Sequence, residues 1–172
     1  ENVNFTINNQ IQARDSYYIS KLVGEKIVEL SGFDFINLRP HNVYGPRMGF
    51  SHVIPELINK FKGQERKVKI FSPTHKRAFC YVDDAINQMV KLAFNKKANN
   101  FAFNIGNNEE EIKIIDLANK IKTLVKSKKK IIRGKNTPGS PIRRVPDMQR
   151  TKKLIKKFKF INLDQGLKNY LN

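Results

Sequence analysis

Short apolar runs alternate along this chain with segments of helical periodicity, and that alternation restricts it to an α/β layered fold. Val23, Ile27 and Leu30 recur at helical spacing within residues 15 to 31, and Gly32 stands where a helix stop belongs. Residues 33 to 38 alternate as a strand and run into Arg39-Pro40. A loop rich in turn formers follows, with Asn42, Gly45, Pro46 and Gly49. Helices are expected at 52–62, from Asp83 to about Phe94, and at 114–125, 150–158 and 163–171. Extended runs are expected at 68–71, 79–82, 101–105 and 129–132. Asp83 and Asp84 read most simply as the N-cap and first-turn acid of their helix. Strands at 33–38 and 101–105 would belong to a parallel sheet, and they need parallel neighbours that the sequence does not obviously supply.

Bulk properties exclude several classes. The 172 residues suffice for one domain with a real core. No run approaches the ~18 apolar residues of a membrane span, and no secretory leader pattern is visible. The single cysteine, Cys80, excludes an intramolecular disulfide and lacks zinc-ligand spacing, so it reads as a buried small hydrophobe in a reducing cytoplasm. The formal net charge of +18 admits a nucleic-acid partner. Its lysines are scattered, however, with the tightest cluster at Lys126 to Lys130, so a solvated basic face that attracts an anionic substrate is the better reading. The chain opens with Glu1 and its first methionine is Met48, which suggests a piece of a longer protein.

Several segments carry residues suited to chemistry. Tyr17 and Lys21 stand four apart on the first helix and so share a face. A phenol titrates near ~10, and a neighbouring ammonium favours its ionised form. Tyr17 could then take a proton from a substrate hydroxyl, although such a pair is also an ordinary surface pair in a lysine-rich chain. Arg39-Pro40-His41-Asn42-Val43-Tyr44-Gly45-Pro46-Arg47 follows a strand, and ligands of open α/β sheets bind beyond the carboxyl ends of strands. Arg77 enters the strand of Arg77-Ala78-Phe79-Cys80-Tyr81-Val82-Asp83-Asp84, and its planar fork suits phosphate. A second arginine site lies in the loop from Gly139 to Asp147, at Arg143-Arg144.

Taken in order with Phe103-Asn104-Ile105-Gly106-Asn107, these motifs make the chain resemble the extended short-chain dehydrogenases that act on nucleotide sugars: 4-epimerases, 4,6-dehydratases and UDP-glucuronate decarboxylases. The resemblance runs from about Arg14 to Leu167. It implies the carboxy-terminal part of a Rossmann-type parallel sheet plus a smaller α/β substrate-binding subdomain. Residues 1–50 would end the dinucleotide-binding domain, and 51–172 would be mainly the substrate-binding subdomain, with 77–105 returning to the sheet. Tyr17 would be the catalytic acid/base, and Lys21 would lower its pKa and hold the nicotinamide ribose of NAD, with NADP an open alternative. Pro40 would lie near the nicotinamide. Asn42 would contact the substrate diphosphate, Phe71 the base, and Arg77 and Arg144 the diphosphate or nucleoside, with Arg47 assisting and Val53 and Ile54 lining the nucleotide pocket.

The sequence departs from the family in two respects. Ser72 stands where many members carry Gly. The glycine-rich phosphate loop, and the Ser/Thr partner that precedes the tyrosine in the family, do not occur among these residues, so the amino-terminal half of the family's fold is absent and this chain alone is expected to be inactive. A UDP-linked sugar, a homodimer through the Tyr17/Lys21 helix and a cytoplasmic location are further implications. A non-catalytic nucleotide-sugar-binding half-protein and a basic nucleic-acid-binding protein are the alternatives.

Overall fold

The computed structural model describes residues 15–171. In chain order its elements are α1 (Asp15–Glu29), β1 (Ile36–Pro40), β2 (Val43–Tyr44), α2 (Val53–Lys62), β3 (Lys67–Ile70), β4 (Lys76–Ala78), β5 (Cys80–Tyr81), α3 (Val82–Ala93), β6 (Phe101–Ile105), β7 (Glu111–Lys113), α4 (Ile114–Leu124), β8 (Lys130–Arg133), β9 (Arg143–Arg144), α5 (Gln149–Leu154) and α6 (Leu163–Leu171). The sheets are small. β1 pairs with β6, β2 with β5 and β3 with β8, all in parallel, while β4 lies between antiparallel β7 and parallel β9.

The parallel neighbours missing from the sequence reading are therefore supplied from within. Ile36 stands opposite Phe101 and Pro40 opposite Ile105, so the two expected sheet strands pair with each other. One cluster of buried side chains, including Cys80, Leu92, Phe103, Ile105 and Ile155, packs around this pair and α3. A larger one joins α2, α4 and α6 to β3. α2 shows why. Ile54, Leu57, Ile58 and Phe61 fall at the spacing that puts one stripe of a helix against a core, and all four are buried. Cys80 is buried as expected, and burial pushes its thiol up to about 12. Among the described residues no helix is long and apolar enough to cross a membrane.

Four expectations need correction. The strand expected at 33–38 begins at Ile36; Phe33 is exposed, and the Asp34 carboxylate instead accepts hydrogen bonds from the Asn99 and Asn100 amides. Within the run expected at 79–82 only Cys80 and Tyr81 are extended, as β5; β4 ends at Ala78, and Val82 already opens α3. Asp83 is consequently inside α3 rather than its cap, which is Tyr81, with no side-chain hydrogen bond. Asp84 is 4% exposed and accepts the Ile161 backbone N–H at 2.8 Å, tying the tail of the chain to α3. Burial raises its pKa above the ordinary carboxylate value. The helix expected at 150–158 stops at Leu154.

Gly166 is fixed by packing rather than by backbone conformation. A Cβ there would stand 1.9 Å from the Tyr44 phenol oxygen and 3.2 Å from the Tyr81 ring. Tyr44 is 2% exposed and cannot swing away without breaking its edge-on contacts with Phe79 and Tyr81. Gly166→Ala is expected to cost about 1–3 kcal/mol, the range for overpacking a filled core. That would lower the melting temperature by several degrees, and an unchanged melting curve would show that Tyr44 has room to yield.

Candidate functional site

Strand alternation sorts four cations at β4 and β9. Lys76 stands opposite Arg143 and Arg77 opposite Arg144, so the two pairs face opposite ways. Lys76 and Arg143 both reach the Glu111 carboxylate, at 3.4 and 2.8 Å. Arg77 and Arg144 instead line a cavity of about 580 Å³. Among the described residues neither has a carboxylate partner. Burial first, and the Arg144 charge second, hold the Arg77 pKa below the ordinary arginine value. Arg77 is anchored by donating to the Ser140 hydroxyl at 2.9 Å and to the Lys76 carbonyl at 2.7 Å, and Ser140 lies 3.4 Å from the Nδ1 of buried His75. Two guanidiniums held side by side without a counter-charge form a receptor for an anion with several oxygens.

The rest of the wall comes from distant parts of the chain. Asn42 sits two residues past β1 in the left-handed region (φ 43°), which Asn tolerates better than most residues. Its amide donates one hydrogen to the Ala78 carbonyl at 2.9 Å, and its backbone carbonyl accepts from Cys80. An amide nitrogen carries two hydrogens, so one remains for a ligand. Val53 and Leu57 of α2, Phe79 and Ile114 add apolar surface. Phe71, just beyond β3, is 48% exposed, with the Lys69 ammonium 5.4 Å and the Lys60 ammonium 6.0 Å from its ring centre.

Tyr17, 61% exposed, reaches the same cavity from the first turn of α1. Lys21, one turn on, holds its ammonium 5.5 Å from the Tyr17 ring centre. α1 is fastened to the sheet by a forked ion pair, in which Arg39 of β1 donates to both Glu25 oxygens at 2.8 and 2.6 Å, and that contact holds Glu25 below the usual carboxylate range. His41 Nε2 donates to Asn104 Oδ1 at 3.1 Å, and Asn104 in turn donates to the Asp147 carbonyl. Those bonds join the loop after β1 to the loop after β9. Burial lowers the His41 pKa, the hydrogen bond with Asn104 opposes that shift, and the positive charges of Arg144 and Arg39 add to it.

Of the residues singled out in the sequence, the cavity brings together Tyr17, Asn42, Val53, Phe71, Arg77 and Arg144. Lys21 adjoins Tyr17. Pro40 is exposed at the end of β1, and Arg47 is exposed at φ 63° outside the cavity lining. Ile54 is corrected: it is 1% exposed and faces the core, because its neighbour Val53 takes the outer side of α2. Sequence reasoning missed Thr137, Ser140, Lys60 and Lys69, which also line the cavity. Ser140 carried a signal, a hydroxyl on a turn leading into the second arginine loop, whereas the lysines were lost among many others. Ser72 lies at φ 48°, where Gly is unstrained, and its hydroxyl accepts the Thr137 N–H at 2.9 Å, tying the loop after β3 to the loop before β9.

Comparison with known proteins follows the same outline. The NAD dependent epimerase/dehydratase family model matches residues 3–106. UDP-glucuronic acid decarboxylase 6 of Arabidopsis thaliana is 29% identical over 165 residues, which is 92% of this chain and 47% of that protein. GDP-L-fucose synthase of Sinorhizobium fredii is 32% identical over 149 residues, 78% of this chain and 46% of that protein. The chain thus spans about half the length of the curated relatives it matches. Among solved structures, UDP-glucuronic acid 4-epimerase from Bacillus cereus, in complex with UDP-glucuronic acid and NAD, superposes with a TM-score of 0.79 at 24% identity, covering 95% of this chain and 55% of that one. UDP-glucose 4-epimerase from Thermotoga maritima gives 0.74, also at 24% identity, over 90% and 50%. These likenesses show the parallel α/β fold, and with the family match over more than half of its residues the chain belongs to the NAD dependent epimerase/dehydratase family.

Proposed function

We propose that this chain supplies the substrate-binding part of a nucleotide-sugar enzyme that oxidises its sugar transiently and then reduces it again. Residues 1–50 end the dinucleotide-binding domain in this reading, 51–172 form mainly the substrate-binding part, and 77–105 return to the parallel sheet. The observation that carries it is the Arg77–Arg144 pair, neither with a carboxylate partner among the described residues, in the same cavity as Tyr17, Asn42 and Phe71. A nucleoside diphosphate sugar has three parts that such a wall suits. Its diphosphate takes the two guanidinium forks and the spare Asn42 hydrogen. Its base can lie on the Phe71 ring. Its sugar hydroxyl can meet the Tyr17 phenol. UDP is favoured as carrier because the relatives with the broadest match are named for UDP-glucuronic acid.

The residues present fit the nicotinamide end of NAD. Tyr17 and Lys21 project from one exposed helical face, and Pro40 is exposed at the carboxyl end of β1. When bound, NAD supplies the acceptor and donor of hydride. Tyr17 exchanges the proton of the sugar hydroxyl as hydride leaves or returns, with Lys21 one turn along the same helix face beside its ring. The exposed Val23 and Ile27 of α1, a helix without one buried residue, suit a contact with a second copy of the chain.

Calorimetry on the chain tests the reading. UDP-glucuronate is expected to bind, and NAD alone to give no measurable heat because no glycine-rich loop cradles its pyrophosphate. Absence of UDP-glucuronate binding would overturn it.

A further inference from the structure

The Phe71 wall differs from a plain aromatic platform in being cationic. Lys69 leaves β3 on the exposed side of its alternating pattern, two residues before Phe71, and its side chain packs across Gly134, where a Cβ would stand 3.3 Å from the Lys69 Cε. Its ammonium lies 5.4 Å from the Phe71 ring centre, and both residues line the cavity. Lys60 approaches the same ring from α2, but its charge is engaged by Glu56, four residues earlier on that helix. Among the described residues Lys69 has no carboxylate partner.

We infer that Lys69 makes this cavity select a nucleobase whose edge presents an oxo group over one that presents an amino group. The inference rests on the reading of the cavity as a nucleoside diphosphate site. An ammonium has three hydrogens and no acceptor, so it can only donate. A base laid on Phe71 comes within reach of the Lys69 ammonium, which stands 5.4 Å from the ring centre. A uracil O4 turned toward it accepts from it, while the amino group that cytosine carries at that position, on a ring otherwise of the same shape, sets donor against donor and forgoes the charge-assisted bond. The carboxylate of the lining that could favour an amino base instead belongs to Glu56, and it is already paired with Lys60.

UDP and CDP form the matched pair for the test, because they share ribose, diphosphate and ring size. Titration calorimetry of the protein is expected to show UDP binding roughly tenfold more tightly than CDP, the scale of one charge-assisted hydrogen bond. Lys69→Met is expected to bring the ratio close to one while both nucleotides still bind through the arginines, and Lys69→Arg to keep most of it. Lys69 is exposed on its strand, and a circular-dichroism melt confirms that each variant is folded. Equal affinities in the wild type, or a preference for CDP, would overturn the inference and leave the nucleotide reading standing. A UDP preference undiminished in Lys69→Met would take the role from Lys69. If neither nucleotide binds the wild type, the nucleotide reading itself fails.

Discussion

Tyr17→Phe in the complete enzyme is expected to lower kcat by about a thousandfold, within the range for loss of a positioned general acid or base. The change removes one oxygen and keeps the ring. Tyr17 is 61% exposed and carries no hydrogen bond from its phenol to the core, so the fold has little reason to respond. The groups that would hold the diphosphate, Arg77 and Arg144, sit on β4 and β9 and are untouched. KM for the sugar nucleotide should therefore change little while turnover collapses, the pattern of an interaction made chiefly in the transition state. Steady-state kinetics with melting curves of both proteins would check it. Turnover like that of the wild type would remove Tyr17 from the chemistry and leave Lys21 as an ordinary surface neighbour.

Much of this site was legible in the sequence, for a reason that the structure makes plain. Tyr17, Asn42, Arg77 and Arg144 each sit at or near the end of a strand or helix, where a turn residue or a proline marks the position in one dimension. Periodicity located α2 and α4 to within a residue for the same local reason. What depends on the third dimension was not readable. The pairing of β1 with β6 joins residues 65 apart in the chain, and no local pattern announces a partner at that distance. Asp83 and Asp84 looked like caps because acids favour helix starts. Yet the carboxylate of Asp84 is turned inward to hold Ile161, a contact with a segment 77 residues away. Val53 and Ile54 are adjacent and equally apolar, and only the orientation of α2 sends one to the cavity and the other to the core. The cationic wall at Phe71 was hidden by composition: in a chain with a formal charge of +18, no single lysine stands out until its neighbours are known.

Removal of either cavity arginine should separate binding from stability. Arg77→Ala is expected to weaken UDP-glucuronate binding by roughly tenfold to a hundredfold, the equivalent of ~1.5–3 kcal/mol for a charge-assisted contact. Arg144→Ala should do much the same. The folded chain should scarcely notice. Arg77 and Arg144 repel each other across β4 and β9, so deleting one relieves a like-charge contact and offsets the lost hydrogen bond to Ser140. Melting temperatures are therefore expected to stay within a few degrees of the wild type. Arg143→Ala provides the contrast from the adjacent position on the same strand. It breaks a contact with Glu111 on the other face and should leave ligand affinity unchanged. Arg77→Lys should recover only part of the loss, because an ammonium keeps the charge but cannot offer the planar fork. Loss of affinity at Arg77 and Arg144 but not at Arg143 would follow the alternation of the strand itself. Equal losses at all three would mean that the diphosphate responds to the overall basic charge of the chain, and the cavity would have no claim to be its site.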